Sequence, residues 1–247
     1  MNAFTSFKQK NRTLVPVEVV QIRDVTPCMR RISIIGEGLR TMEVYLPAQW
    51  VKLFVPTDHD GKIGRAYTIR DFDATAGRMD IDLVLHGDEG PATRWAVNAR
   101  LGETIEVAGP RGGYEIDAHA MHFTLIADAT ALPAAASILS RLPTSSSVRI
   151  IIEVNDAREE QMLKCRAPVT AHWLHSGRQA PGTSGQIAAF VRTLALDPIE
   201  HRVWVAGESS MVRDVRDHLM KDRAFARGAI RSQGYWKLGE ADHRDRD

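Results

Sequence analysis

The stretch His122-Phe-Thr-Leu-Ile-Ala127, followed by Asp128-Ala-Thr-Ala-Leu-Pro133, marks a change of fold along this chain of 247 residues. The apolar run predicts a buried strand. Thr130 followed by Pro133 is typical of the start of a helix, because a hydroxyl can cap the first turn and proline is tolerated there. This strand therefore leads directly into a helix.

The same alternation continues towards the C-terminus. Continuous apolar runs predict strands at 148–154, 169–174 and 203–206. Between them, Ser184 and either Ser209 or Ser210 are placed to cap helices with one apolar face. Strands that alternate with helices indicate a parallel sheet with helices on both faces.

The half before residue 120 has a different pattern. Short segments rich in valine, isoleucine and leucine, separated by proline or glycine, predict strands at 16–23, 29–35, 50–55, 79–86 and 103–108. Strands at this spacing favour a small barrel or a sandwich. We therefore expect a β domain at 14–117 and an α/β domain at 120–239, with a charged, disordered tail at 240–247.

Composition limits the classes of function. A formal net charge of +1 gives no reason to expect binding to nucleic acid or to a membrane. Cys28 and Cys165 are far apart and predict neither a disulfide framework nor a metal site. The N-terminus has no apolar core of signal-peptide length, so we expect a cytoplasmic protein, by default a monomer.

The segment Arg65-Ala-Tyr-Thr-Ile-Arg70 alternates a cation, an aromatic ring and a hydroxyl. On an extended strand Arg65 and Tyr67 share one face, and Thr68 lies on the other. A planar, phosphate-bearing cofactor needs a guanidinium for a phosphate and a ring for stacking. Ordinary strand packing explains the same residues, and the segment alone does not separate the two interpretations.

Five other segments have a ligand interpretation beside a structural one. Residues 86–96 form a glycine-rich turn before a helix, where backbone N–H groups suit a pyrophosphate. Residues 127–133 and 205–212 lie at the carboxyl ends of strands, where doubly wound sheets bind ligands, although no G-x-G-x-x-G fingerprint is present. Residues 108–114 are a turn-dense loop or hinge, and Gly234-Tyr-Trp-Lys237 is a terminal packing plug or a cover over a ring. His172 and His175 fall on opposite faces of a strand and do not form a metal pair.

Taken in order, these segments resemble the siderophore-interacting protein family, which are FAD-dependent ferric-siderophore reductases related to ferredoxin reductases. The resemblance extends from about residue 14 to 239. It is carried by R-x-Y-T at 65–68, H-G-x-x-G-P-A-x-x-W-A at 86–96, A-G-P-R-G at 108–112, T-A-L-P-A at 130–134, A-G-E at 206–208 and G-Y-W-K at 234–237.

The resemblance implies a Greek-key β-barrel that binds FAD and an α/β domain like the NAD(P)H-binding half of ferredoxin reductases. It places Arg65 on an FAD phosphate, Tyr67 against the isoalloxazine ring and Thr68 at the polar edge of the ring. The other cofactor-binding residues that it implies are His86, Gly87, Gly90, Pro91, Ala92, Thr93, Trp95, Asp128, Thr130, Ala131, Gly207, Glu208, Tyr235 and Trp236. Lys52 and Lys237 match basic positions for an anionic ferric siderophore.

The family's strand-end motif is usually G-D-E-T-A-L-P, whereas this chain has Ala127-Asp128-Ala129 in place of G-D-E. The expected function is reduction of iron(III) in a ferric siderophore by NADH or NADPH through FAD, with the flavin rather than a side chain carrying the chemistry. Two alternatives remain: a general flavin or ferredoxin-type reductase, and a siderophore-binding flavoprotein without electron transfer. A ferredoxin is a further candidate donor.

Overall fold

The computed structural model describes residues 13–57, 61–85 and 90–240. Its first half is a closed antiparallel barrel in the strand order β1-β2-β5-β4-β3-β6. The strands are β1 (Val15–Thr26), β2 (Met29–Ile35), β3 (Gln49–Pro56), β4 (Lys62–Asp73), β5 (Arg78–Val84) and β6 (Thr104–Gly112). Helix α1 (Pro91–Asn98) lies between β5 and β6 and packs against β3, β4 and β5.

Alternation along β3 shows how the sequence forms the barrel. Val51, Leu53 and Val55 are at most 1% exposed and point into the barrel, whereas Trp50 and Lys52 lie on its outer side. Successive side chains of a strand point to opposite faces, so this pattern buries one face and leaves the other partly exposed. Of the two architectures that the spacing favoured, the protein has the barrel.

The second half is a parallel sheet in the order β11-β10-β7-β8-β9. Its strands are β7 (His122–Asp128), β8 (Ser147–Val154), β9 (Val169–His175), β10 (His201–Glu208) and β11 (Ile230–Trp236). Helix α2 (Leu132–Leu139) covers one face, and α3 (Gln186–Thr193) and α4 (Ser209–Lys221) cover the other. The predicted fold class, a β-barrel followed by a parallel α/β domain, is confirmed.

Two segments differ from the sequence-based prediction. Residues 230–236, interpreted in part as a plug, form the edge strand β11, which pairs with β10 from Val203↔Ile230 onward. Residues 108–112, interpreted as a loop, continue β6. The register moves from Lys52↔Ala108 to Trp50↔Arg111, so one extra residue bulges at Gly109-Pro110 and the strand goes on.

The barrel and the sheet share one apolar interface. Met29 and Ala48 of the barrel belong to the same buried cluster as Leu125 and Leu132 of the α/β half. The backbone N–H of Ala48 donates to Ser137 Oγ on α2 at 3.3 Å. This packing brings one end of the barrel to the carboxyl ends of the parallel strands.

Candidate functional site

A cavity of about 740 Å³ lies between the barrel and the carboxyl edge of the sheet. The barrel contributes Cys28, Met29, Val84 and Leu85 to its wall, and each of β7, β8, β10 and β11 contributes its last residues. Ligands of doubly wound sheets bind at this edge, near the point where the strand order reverses. Here the reversal lies between β7 and β10, and the cavity opens beside it.

Asp128, at the end of β7, accepts five hydrogen bonds. Oδ1 accepts from the backbone N–H of Thr130 (2.8 Å), from its hydroxyl (2.5 Å) and from the N–H of Ala131 (3.2 Å). Oδ2 accepts from the N–H of Glu208 (2.8 Å) and from the indole Nε1–H of Trp236 (2.9 Å). One carboxylate therefore joins the ends of β7, β10 and β11, and its lone pairs are occupied within the protein.

Gly207 fits beside this carboxylate because it has no side chain. A Cβ atom there would lie 2.5 Å from Asp128 Oδ2, and its φ of +142° is one that residues with a side chain rarely adopt. The fully buried Ala131 continues the same turn. The structure thus gives both small residues a packing role at the strand ends where a nucleotide was expected.

Glu208 is the N-cap of α4, a position that the sequence assigned to Ser209 or Ser210. Its Oε2 accepts from the backbone N–H groups of Ser210 (2.6 Å) and Met211 (2.9 Å). Serine was the expected cap on propensity, but a carboxylate also suits the positive end of a helix dipole. Because α4 begins at Ser209, directly after β10 ends at Glu208, the cap lies one residue before the first serine.

Tyr235 and Trp236 point to opposite sides at the end of β11. The indole of Trp236 lines the cavity, whereas the hydroxyl of Tyr235 lies beside the side chain of Thr68 on β4. Burial raises the pKa of Tyr235 to about 12, so it is a neutral phenol at physiological pH. This residue pair connects the strand-end cavity to the β4 segment.

On β4 the expected alternation is present. Arg65 pairs with Leu53 and Tyr67 with Val51, and these partners point into the barrel, so Arg65 and Tyr67 share that face. Thr68 pairs with Trp50 on the outer side, where it meets Tyr235. Burial raises the pKa of Tyr67 to about 12, against the opposing effect of the Arg65 charge.

Helix α1 begins at Pro91 after Gly90, which makes no side-chain capping hydrogen bond, and its first turn contains no acidic residue. Thr93 is the nearest neighbour of Gly90 at this end, with Oγ1 3.7 Å from the place of a Cβ. Ala92 and Trp95 are instead buried in the barrel core, and the Trp95 indole donates to Glu103 Oε1 at 2.8 Å. His86 and Gly87 lie outside the described residues.

The two predicted substrate-binding lysines lie in different surroundings. Lys52 is on the outer side of β3, opposite Ala66 of β4, and its side chain passes Gly64. Lys237 follows Trp236 and forms an ion pair with Glu240. A third cationic group, which was not predicted from the sequence, lies on the same side of β3 as Lys52. The Arg111 guanidinium is 5.6 Å from the ring centre of Trp50.

Three residues of the cavity wall were not predicted from the sequence. Cys28 lies in the β1–β2 turn, Glu153 is the last but one residue of β8, and Glu159 is a buried residue of a 3-10 turn at Ala157–Glu159. Of these three residues, Glu153 had one local signal, which is its place at the end of a predicted strand. His172 and His175 have separate partners, the ring of Phe190 and the carboxylate of Glu160.

Comparison with known proteins matches this architecture in both halves. The family model described as a siderophore-interacting FAD-binding domain matches residues 18–63 and 56–114, and the model described as siderophore-interacting protein matches residues 120–239. The chain belongs to the siderophore-interacting protein family. The predicted family is therefore confirmed, and the barrel is its FAD-binding domain.

Individual relatives agree with this membership. A siderophore utilization protein from T. fusca is 35% identical with a TM-score of 0.87, over 94% of this chain and 95% of that chain. The ferric acinetobactin reductase of Acinetobacter baumannii is 29% identical over 225 residues, 90% of this chain and 77% of the relative. A ferredoxin-NADP+ reductase from Plasmodium falciparum, determined with 2'P-AMP, shares the fold at 14% identity and a TM-score of 0.69, over 91% of this chain and 98% of that chain.

Proposed function

We propose that this protein is a ferric-siderophore reductase in which FAD, held by the barrel, passes electrons from NADH or NADPH to iron(III). Membership of the family and the name of the acinetobactin-reducing relative support the reaction class. The observation that carries the proposal is the contact between Thr68 of the cofactor strand and Tyr235, whose neighbour Trp236 lines the strand-end cavity. Two binding regions meet there, as a reaction between two bound partners requires.

The barrel residues fit FAD. The N-cap of α1 is Gly90, which has no side chain to cap the first N–H groups, so this helix start suits a pyrophosphate, and Arg65 is a guanidinium for a phosphate. Tyr67 is a flat ring fixed in the barrel wall, and the Thr68 hydroxyl lies on the opposite, outer face of β4. When bound, FAD supplies acceptance of a hydride and release of single electrons, and the protein orients the participants.

The second region fits a nicotinamide donor. Its volume of about 740 Å³ lies within the range of 300–1,000 Å³ usual for small-molecule sites. The role of the chain is to keep this cavity open against the barrel end, and Asp128 does so by holding Trp236 in the wall. No side chain has to act as a nucleophile in such a reaction.

Lys52 and Lys237 would raise the local concentration of an anionic ferric chelate. Reduction to iron(II) weakens binding by the chelator and releases the metal. Among the described residues no helix is long and apolar enough to cross a bilayer. Release in the cytoplasm, the monomeric state and a ferredoxin as alternative donor remain predictions.

The test is anaerobic reduction by the FAD-loaded protein of a panel of ferric siderophores, with a ferrous-specific dye to trap the product. We expect dye-bound iron(II) to form with a nicotinamide donor and only when FAD is present. Free flavin and ferredoxin serve as competing acceptors, because faster reduction of either one would favour a general reductase. Bound ferric siderophore without iron(II) formation from any donor would contradict the proposal.

The lysines give a sharper prediction. Replacing both Lys52 and Lys237 with alanine should raise KM for an anionic ferric chelate several-fold, with little change for a neutral chelate, because the attraction is electrostatic. A matched double variant, Lys164→Ala with Lys221→Ala, removes the same charge from other parts of the surface. Equal KM values for both double variants would show that the two lysines do not recruit substrate.

A further inference from the structure

The cavity carries an unusual charge distribution for a site that takes a phosphorylated donor. Among the residues that the structure describes, its wall contains five carboxylates and neither lysine nor arginine: Asp128, Glu153, Glu159, Glu208 and Asp214. A dinucleotide brings one pyrophosphate in either form, but NADPH adds a 2'-phosphate with a further charge of about −1.5 to −2 at pH 7. The wall thus opposes the extra phosphate.

We infer that the cavity selects NADH over NADPH, and that Glu153 is the main specificity-determining residue. This inference rests on the proposed function, because it concerns the donor of that reaction. Glu153 is the last but one residue of β8, the strand that follows β7 in sequence and lies beside it. In nucleotide-binding sheets an acidic side chain at the end of the second strand bonds the ribose hydroxyls and leaves no room for a phosphate.

The N-termini of α2, α3 and α4 beside the cavity are already occupied by carboxylates of the protein. The N–H groups of Thr130 and Ala131, just before α2, donate to Asp128, and those of Ser210 and Met211 on α4 donate to Glu208. The N–H of Ile187 on α3 donates to Glu153, to which the Ser184 hydroxyl also donates. Each helix start that could attract a second anion therefore already holds a carboxylate.

Of the remaining carboxylates, the donors to Glu159 within the described part of the chain are the neutral Thr26 hydroxyl and Cys28 N–H, whereas Asp214 is paired with Arg192 at 2.6 Å. Several arginines neighbour wall residues in sequence, among them Arg30, which is paired with Asp24 at 2.7 Å, and Arg213, which is exposed beside Asp214. Arg158 is paired with Asp156 through two short contacts, 2.7 and 3.0 Å. Arg178 follows Ser176 in the loop after β9 and is exposed, outside the cavity wall. Arg178 and Arg213 are thus the groups whose recruitment by a 2'-phosphate would oppose the inference.

Two assays test the inference, one of which measures binding and the other flavin reduction. Calorimetry compares ADP-ribose with 2'-phospho-ADP-ribose on the FAD-loaded protein, and stopped-flow compares flavin reduction by NADH and NADPH. We expect a preference of at least about tenfold for the form without the 2'-phosphate in both assays. Glu153→Gln, which keeps an acceptor for Ser184 and Ile187, should reduce the preference several-fold, mainly by tighter binding of the phosphorylated form.

Glu200→Gln is the matched control, since it removes one carboxylate just before β10, at the opposite edge of the sheet. The ratio of affinities for ADP-ribose and 2'-phospho-ADP-ribose in this variant should equal that of the wild type. A wild-type preference for the phosphorylated form would overturn the inference, as would an unchanged ratio of the two affinities in Glu153→Gln, and Arg178→Ala would show whether Arg178 holds the phosphate. Absence of binding by both ADP-ribose forms would also overturn it.

The two proposals fail independently. If no donor supports iron(II) formation but ADP-ribose still binds more tightly than its 2'-phosphate, the reductase proposal is wrong and the selectivity of the cavity stands. If reduced ferredoxin supports iron(II) formation while both dinucleotides and both ADP-ribose forms are inert, ferric-siderophore reduction stands, but the nicotinamide donor and the inference are both wrong.

Discussion

At the scale of single residues, the role of Asp128 in the structure differs from the role that its position in the sequence suggested. Its place at the end of an apolar strand made it a candidate to contact a nucleotide. In the fold its carboxylate accepts five hydrogen bonds and holds the Trp236 ring in the cavity wall. It is a positioning residue for the cavity, because its oxygens are occupied by the protein itself.

We expect Asp128→Asn to destabilise the protein by about 1–3 kcal/mol, because an amide nitrogen cannot accept from the donors that face it. Trp236→Phe, which keeps a ring and removes one of the five donors, should cost less. Urea unfolding of the two variants measures both free energies. A smaller loss for Asp128→Asn than for Trp236→Phe would show that the carboxylate does not hold the three strand ends together.

At the scale of elements, a 3-10 turn at Ala157–Glu159 fastens the barrel to the sheet. Glu159 is 7% exposed and accepts from Thr26 Oγ1 at 2.5 Å and from the backbone N–H of Cys28 at 3.0 Å. Both donors flank the β1–β2 turn at the cavity wall. A buried acceptor with two donors fixes the position of that turn, since unpaired buried donors are costly.

The variants Glu159→Ala and Glu159→Gln test this connection. Alanine leaves both donors without an acceptor, so we expect a loss of about 1–3 kcal/mol. Glutamine retains an acceptor for Cys28 and can donate to the Thr26 hydroxyl, so its loss should be smaller. Thermal unfolding ranks the three proteins, and equal midpoints for the wild type and Glu159→Ala would exclude a fastening role.

Strands and helices were predicted correctly where the side-chain pattern of the segment itself specifies them. The apolar runs of β7, β8 and β10 and the apolar face of α3 have the periods that the structure shows. The strand β11 was missed, because Ile230-Arg-Ser-Gln-Gly is mostly polar and only its pairing with β10 makes it extended. Edge strands take their conformation from a neighbour, which a local pattern does not include.

At the scale of the whole molecule, three tyrosines report on both domains and their contact. Burial raises to about 12 the pKa of Tyr67 in the barrel, of Tyr114 after β6 and of Tyr235 in β11. A phenol whose pKa is raised from about 10 favours the folded state at all pH values below 10. That stabilisation is lost as pH rises from about 10 to about 12.

We therefore expect the absorbance of tyrosinate at 295 nm to rise in two stages. Tyr45 is 69% exposed and should ionise first and reversibly, whereas the other three should ionise together with the loss of circular dichroism. Tyr45→Phe should remove only the first stage. Ionisation of all four tyrosines below pH 11 with unchanged circular dichroism would contradict the burial of these rings.

The sequence alone was sufficient for the order of strands and helices as far as α4, for the change from β to α/β near residue 120, and for the family. These depend on side-chain periodicity and on motifs within short windows, which a single chain displays directly. It also placed Arg65 and Tyr67 on one face of β4, because alternation on a strand is a local property.

The roles of the polar residues depend on the tertiary fold. Asp128 meets Trp236 across 108 positions of the chain and Glu159 meets Thr26 across 133, so neither pairing leaves a local signal. The charge of the cavity arises in the same way, from carboxylates on separate strands and turns that face one space. Hydrogen bonding and electrostatics depend on distance in space, and the packing of the barrel on the sheet sets those distances.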